Sequence, residues 1–139
     1  MTTFSYIPNH RPHLNRVNRD GGPLIEAKKI LLSLTEYFDI GIPALIDKSR
    51  KRTIVYPRQL AMYLLGHYSG MTMSSIGVIF GKDHSTVVHS IATIDDLSQV
   101  DNLVAQQIKD IVVKLNAAKA NVVRNDVGIS KMLAMVVNH

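Results

Sequence analysis

The side chains best suited to chemistry in this chain form one short run, Lys82-Asp83-His84-Ser85-Thr86, directly after Gly81. Each can contact DNA: an Asp accepts from the cytosine amino group, a His or Thr touches the thymine methyl, and a Lys pairs with a phosphate. Asp, Ser and Thr are also ordinary residues at the start of a helix, where they cap backbone amides. The run is therefore predicted either to read DNA bases from a helix start or only to cap that helix.

The basic residues are concentrated in the segment that leads up to this run. The whole chain has 16 Lys and Arg against 11 Asp and Glu, and removing six basic residues of this segment leaves 10 against 11, a net charge of −1. A polyanion is the expected partner of such a segment, because phosphate neutralisation releases condensed counterions. A solvated basic surface is the alternative. With no Asp or Glu between them, the six residues are Lys48, Arg50, Lys51, Arg52, Arg58 and Lys82.

Catalytic and metal chemistry have little support in the sequence. The absence of cysteine excludes disulfides, thiolate metal sites and thiol catalysis. The six histidines show no spacing that puts two metal ligands on one helix face, so we expect no metal and no cofactor. A nuclease centre at Asp83 with His84 or His89 is the enzymatic alternative, but no further carboxylate completes a metal site. We therefore expect no enzymatic activity.

Apolar residues recur every three or four positions along most of the chain, which predicts an all-α fold. Pro23 and Pro57 stand where a first helical residue would, and Thr72 and Asp83 are expected to cap helices, with Gly81 ending the helix between them. The two helices on either side of Gly81 form a predicted helix-turn-helix. The predicted helical segments are residues 23–41, 43–46, 57–70, 72–81, 83–98, 101–119 and 129–137.

The predicted domain organisation has three parts. Residues 1–22 show no apolar period and are predicted as a flexible arm, whose arginines could trail into a DNA groove. Residues 23–98 form the helix-turn-helix domain, and 99–139 are a helical extension. The apolar stripe of that extension either packs on the domain or forms a homodimer, and a dimer would read a palindrome. The stripe consists of Val104, Ile108, Ile111, Val112 and Leu115.

Location and the type of nucleic acid can also be predicted. No apolar run approaches the roughly 18 residues of a membrane helix, and no secretion signal opens the chain, so we expect a cytoplasmic protein.

RNA is a rival ligand to duplex DNA. RNA recognition commonly uses exposed aromatic rings for stacking, and the basic region offers only Tyr56, Tyr63 and Tyr68. Two of these lie in a predicted helix and are expected in its core.

Two stretches resemble the C-terminal DNA-binding domain of the bacterial replication initiator DnaA. The first runs from Arg50 to Leu64 and contains Tyr-Pro-Arg-Gln-Leu-Ala-Met, and the second reads Phe-Gly-Lys-Asp-His-Ser-Thr-Val-Val-His and ends at His89. With Ile76-Gly77 between them, the resemblance covers about residues 24–97. It implies an all-helical, Trp-repressor-like bundle whose helix-turn-helix reads an asymmetric DnaA box from the major groove.

The resemblance also implies roles for individual residues. Arg50 would enter the minor groove, and Arg58 and Gln59 would hold phosphates. Lys48, Lys51 and Arg52, in a run expected to be exposed, and Lys82 are expected to hold phosphates by their charge. The residues that would face bases in the major groove are Asp83, His84, Ser85, Thr86 and His89.

Departures from the family pattern indicate weaker binding or a different preferred DNA site. The turn before Asp83 is one residue shorter than usual, and Ser85 stands where Thr is common. Basic residues are common in the family at three further positions, which here are Gly66, Ala92 and Thr93.

The nucleotide-binding part of the initiator is not expected in this chain. The nearest match to a phosphate-binding loop, Gly77 to Lys82, has one residue too few between its glycines, and Asp83 stands where Ser or Thr should bind magnesium. We therefore expect no ATPase module and no bound nucleotide. The sequence leaves three roles open: replication initiation or its regulation, transcriptional regulation in a phage, plasmid or bacterium, and a protein-interaction module that has kept the fold.

Overall fold

The computed structural model of the protein describes residues 17–48 and 50–118. These residues form α-helices joined by short turns, with no strand among them, which confirms the prediction of an all-α fold. A single π-helical turn continues the third helix. In chain order the elements are α1 (Ala27–Phe38), α2 (Ile42–Ile46), α3 (Arg52–Leu64), the π turn (Leu65–Ser69), α4 (Met73–Phe80), α5 (His84–Val100) and α6 (Asn102–Ala118).

Helix α1 begins four residues later than predicted. Pro23 was expected to be the first helical residue, but it pairs with Val17 in an isolated antiparallel bridge, and the helix begins at Ala27. The backbone amide of Ile25 donates to the carbonyl of Tyr68 at 2.9 Å. The segment before α1 is therefore bound to the π turn, because the extended backbone there can form bonds that a helical one would use internally.

Residues 17–22 form an ordered turn, although they belong to the segment predicted as a flexible arm. The Asn18 side chain organises it: Oδ1 accepts from the amides of Asp20 at 2.7 Å and Gly22 at 3.2 Å, and Nδ2 donates to the carbonyl of Pro23 at 2.9 Å. Asn18 is buried, as expected for a polar side chain whose oxygen and nitrogen both form hydrogen bonds. The rest of the predicted arm, residues 1–16, lies outside the described residues.

Helix α3 begins at Arg52, so the prediction that Pro57 opens it is wrong. The carbonyl of Lys51 accepts from the amides of Ile54 and Val55, which forms the first turn. Pro57 lies in the next turn and leaves the carbonyl of Thr53 without its helical partner. Thr53 is exposed, so water can replace that bond. The end of the basic run is therefore a helix start.

The C-terminal half of α3 and the π turn carry the predicted buried face. The turn ends before Gly70, whose φ of 75° is left-handed, and this confirms the predicted end of the segment. The residues predicted for the buried face are all buried, and they are Leu60, Ala61, Leu64, Leu65 and Tyr68.

Helices α4 and α5 form the predicted helix-turn-helix. Thr72 caps α4 by accepting from the amide of Ser75 at 3.1 Å, and Gly81 ends α4 with a left-handed φ of 64°. Asp83 is the N-cap of α5. On α5, Val88 and Leu97 are half-buried. The inward residues of the two helices are buried as predicted: Ile76, Ile79, Phe80, Val87, Ile91 and Ile94.

Helix α6 packs on α1 and α5. All five residues of its predicted apolar stripe are buried within the chain, and Lys114 pairs with Glu36 of α1 at 3.8 Å. The further helix predicted over residues 129–137 lies outside the described residues. Across residues 17–48 and 50–118, no helix has both the length and the apolar character to cross a membrane.

Candidate nucleic-acid interface

The start of α5 is capped by the residues that were singled out for base reading. The Asp83 carboxylate accepts from the backbone amide of Thr86 at 2.8 Å. Hydrogen bonds from the Thr86 side chain and amide hold the pKa of Asp83 below its usual value, so the carboxylate stays ionised at neutral pH. The capping role is therefore present. Both side chains are also exposed, so capping does not withdraw them from the surface.

Three further polar side chains project from the same end of α5. His84, Ser85 and His89 are exposed, whereas Val87 and Ile91 are buried. Ser85 and His89 are four residues apart and, with the exposed Thr86, lie on the side of the helix opposite Val87 and Ile91, which forms its polar face. Asp83 and His84 are exposed beside this polar face at the start of the helix.

The turn between α4 and α5 folds tightly against α4. The amides of Gly81 and Lys82 both donate to the carbonyl of Gly77, the latter at 2.9 Å. The carbonyl oxygen of Lys82 lies only 2.4 Å from where a Cβ on Gly77 would be. No structural role was predicted for Gly77, although an isolated glycine in an apolar helix is a recognised sign of close packing.

The basic run lies at the start of α3. Lys48, Arg50, Lys51 and Arg52 are exposed, which confirms the predicted exposure of the run. Because α3 begins at Arg52, the first unbonded amides of the helix lie beside these cations, an arrangement suited to a phosphate.

Arg58 and Gln59 are placed differently from the prediction. Both were expected in the first turn of a helix opened by Pro57, but they lie further along α3. Arg58 is only 5% exposed, and its Nε donates to the carbonyl of Leu45 in α2 at 3.1 Å. Burial lowers the pKa of its guanidinium, and the nearby Asp47 opposes this shift. In this position the Arg58 guanidinium contacts α2, while Gln59 is half-buried.

Helices α3 and α5 pack with their directions opposed. Near the end of α3, a Cβ at Gly66 of the π turn would meet Ile91 of α5 at 3.1 Å. At the other end, burial raises the pKa of Tyr56, and the charge of Asp101, just after α5, raises it further. The basic run and the start of α5 therefore lie at opposite ends of α3, whose 13 residues span roughly 20 Å.

A buried charge holds the far half of α5. Asp95 is buried, and its Oδ1 lies 3.5 Å from Nη1 of Arg19. Arg19 also donates to the Tyr63 hydroxyl, lies 5.5 Å from the centre of that ring, and donates its amide to the carbonyl of His67 at 2.8 Å. Arg19 was predicted in a flexible arm, whose arginines could trail into a DNA groove or belong to a plain disordered terminus. It instead binds α3, the π turn and α5.

No group of three His, Asp or Glu side chains in the described parts of the chain could hold a metal ion. Lys82 is half-buried within the turn.

Comparison with known proteins agrees with this arrangement. Residues 27–94 match the family described as the bacterial DnaA protein helix-turn-helix. Relatives named chromosomal replication initiator protein DnaA include those of Thermoanaerobacter sp. strain X514, 34% identical over 87 residues, and Bacteroides thetaiotaomicron, 39% identical over 83 residues. These alignments cover 63% and 59% of this chain.

A third relative of the same name, from Mesorhizobium japonicum, is 36% identical over 98 residues, or 69% of this chain. The chain spans about a fifth of the length of the curated relatives it matches. The matched residues include α4, the first 11 residues of α5 and the basic run before α3. Residues 27–94 therefore form a DNA-binding helix-turn-helix domain of the DnaA C-terminal type.

Proposed function

We propose that this protein binds duplex DNA sequence-specifically, with the start of α5 in the major groove. One observation carries the proposal: the exposed polar face of Ser85, Thr86 and His89, with Asp83 and His84 exposed beside it, projects from the first turns of the second helix of a helix-turn-helix. That end is the one that meets base edges in this motif. The apolar side of the same helix is buried, so the polar face is held in one orientation.

In the proposed complex the contacts divide by position. Asp83 to Thr86 and His89 face bases, and Arg50 enters the adjacent minor groove. Phosphates are held by Lys48, Lys51, Arg52, Gln59 and Lys82, while Arg58 supports the fold beneath them.

The tyrosines of the basic region favour duplex DNA over RNA as the ligand. Tyr63 and Tyr68 are 3% and 4% exposed. Tyr56 is half-buried and its hydroxyl donates to Gln107 of α6 at 2.7 Å. None of the three is a free stacking surface for an unpaired base, which sequence-specific RNA binding commonly needs.

The relatives, all named as chromosomal replication initiators, support a role at DnaA-box-like sites in replication initiation or its regulation. The burial of the α6 stripe inside the chain favours a monomer that reads an asymmetric site. Selection of bound sequences from a random duplex pool would test this directly. An asymmetric DnaA-box-like motif is expected, whereas a palindrome would point to a dimeric transcriptional regulator.

The binding surface can be tested by titrating labelled duplexes at several salt concentrations. We expect an affinity that falls steeply with salt, and the absence of duplex binding at low salt would refute the proposal. His84→Ala should reduce the difference in binding free energy between a preferred and a scrambled duplex by about 1–3 kcal/mol. The control Arg52→Ala should weaken binding to both duplexes alike. It should also reduce the slope of log affinity against log salt concentration by about one. Equal losses on both duplexes from both variants would contradict this division of contacts.

A further inference from the structure

The residue that determines where α5 starts lies in the preceding helix. Gly77, in the middle of α4, accepts hydrogen bonds from the amides of Gly81 and Lys82. A Cβ at this position would stand 2.4 Å from the Lys82 carbonyl oxygen, a distance below the 3.0 Å that real Cβ atoms essentially never cross. It would also meet Val87 of α5 at 3.7 Å, an ordinary contact. The only severe contact is therefore with backbone, which cannot rotate away as a side chain can.

We propose that Gly77 is a positioning residue for base recognition: the absence of its Cβ lets the turn close on α4 and thereby sets the place and direction of the start of α5. This inference rests on the proposed function. The Lys82 carbonyl immediately precedes Asp83, and Asp83 caps α5 through Thr86. A side chain at Gly77 displaces this carbonyl outward, and the cap and first turn of α5 move with it.

The displacement falls on the turn because the residues around it are fixed. Ile76 is fully buried, Phe80 is 1% exposed and Val87 is fully buried, so α4 and the body of α5 are held by the core. Gly81 to Asp83 connect these two fixed parts and are mostly exposed. Alanine is a better helix former than glycine, so Gly77→Ala does not weaken α4 by helix propensity. Its effect is therefore expected in the geometry of the turn.

Gly81→Ala is the matched control, because it makes the same substitution in the same turn without the contact. Gly81 has a left-handed φ of 64°, so an alanine there is strained, but its Cβ would point into open space. It therefore tests the effect of a weaker turn without displacement of Lys82. Both variants are compared with the unchanged full chain.

The measured quantity is the ratio of the dissociation constants for a scrambled and a preferred duplex. This ratio does not depend on the folded fraction, which lowers both affinities alike. Gly77→Ala should reduce the ratio at least tenfold, whereas Gly81→Ala should change it less than threefold. In NMR spectra, Gly77→Ala should shift the amide resonances of residues 82–86 and leave those of α1 unchanged.

Three outcomes overturn the proposal. The first is an unchanged ratio in Gly77→Ala, and the second is an equal loss in Gly81→Ala. The third is a Gly77→Ala protein that fails to fold, since the displacement would then not be confined to the turn. Failure of the proposed function is distinguishable, because in that case the unchanged chain shows no preference between the duplexes while the NMR shifts still report the displaced turn.

Discussion

Single side chains in this protein take roles that their chemical type does not reveal. Arg58 belongs to a basic segment and resembles a phosphate contact, yet it is almost fully buried and binds the carbonyl at Leu45. Arg52, six residues earlier on the same helix, is exposed. The difference follows from helix phase and from the position of α2, which covers one side of α3 only.

Replacement of these two arginines should separate stability from binding. Arg58→Ala should lower the free energy of unfolding by about 2 kcal/mol, because it removes a buried charge-assisted hydrogen bond and the packing of the aliphatic stem. Arg52→Ala, the exposed control, should change stability by less than about 0.5 kcal/mol. Urea denaturation measures both. An Arg58→Ala protein of unchanged stability with a reduced salt slope of DNA binding would show that Arg58 contacts phosphate after all.

At the scale of elements, α5 is held near both ends by different interactions. Its start is capped by Asp83, and the turn before it packs against Gly77 of α4. Its second half carries Asp95, a buried carboxylate whose ion pair comes from Arg19, outside the family match. The N-terminal turn, residues 17–22, is therefore part of the structure that orients α5.

The Arg19–Asp95 pair can be tested with a double-mutant cycle. Arg19→Ala should lower the free energy of unfolding by about 2 kcal/mol, because a buried carboxylate loses its cation, and the 40% exposure of the Arg19 side chain reduces the cost below that of a fully buried pair. Asp95→Asn in the same chain should recover part of this loss, giving a coupling of about 1 kcal/mol. Strictly additive losses would mean that the two side chains do not interact.

At the scale of the whole molecule, the N-terminal turn and the π turn share a buried polar cluster that couples folding to pH. Burial, with a smaller contribution from the charge of Arg19, lowers the pKa of His67 to about 4, while Asp20 opposes the shift. The imidazole also packs edge-on against Tyr63 at 4.5 Å between ring centres. His67 is therefore neutral in the folded protein at neutral pH.

The sign of the pH effect follows from this shift. Between about pH 4 and the unfolded value of 6.5, the unfolded chain binds a proton at His67 that the folded chain does not. The contribution of His67 to the free energy of unfolding is therefore fully present above pH 6.5. It is lost as the pH falls toward 4, and the total loss is about 3 kcal/mol. His67→Gln should flatten this part of the stability profile. The control His89→Ala, at an exposed position, should leave it unchanged, and an equally steep profile in His67→Gln would rule out His67 as its source.

Local sequence patterns determined the helices, their capping residues and their buried faces. Thr72, Gly81 and Asp83 act within one helical turn of their own positions, so the residue type and its neighbours were enough to predict them. The apolar stripes of α4, α5 and α6 were predicted for the same reason, because a helix buries the face that its periodicity makes apolar. The motif residues of α3 and of the start of α5 were together sufficient to indicate the family.

Only the tertiary structure decided the features that depend on contacts distant in the chain. Pro23 and Pro57 carried the local signal of a helix start, but the first is paired in a bridge and the second lies inside α3. Arg19 and Arg58 were interpreted by charge, while their roles came from Asp95 and the carbonyl of Leu45, 76 and 13 residues away. The separation of the basic run from the start of α5 likewise follows from the packing of α3 against α5, which no local pattern encodes.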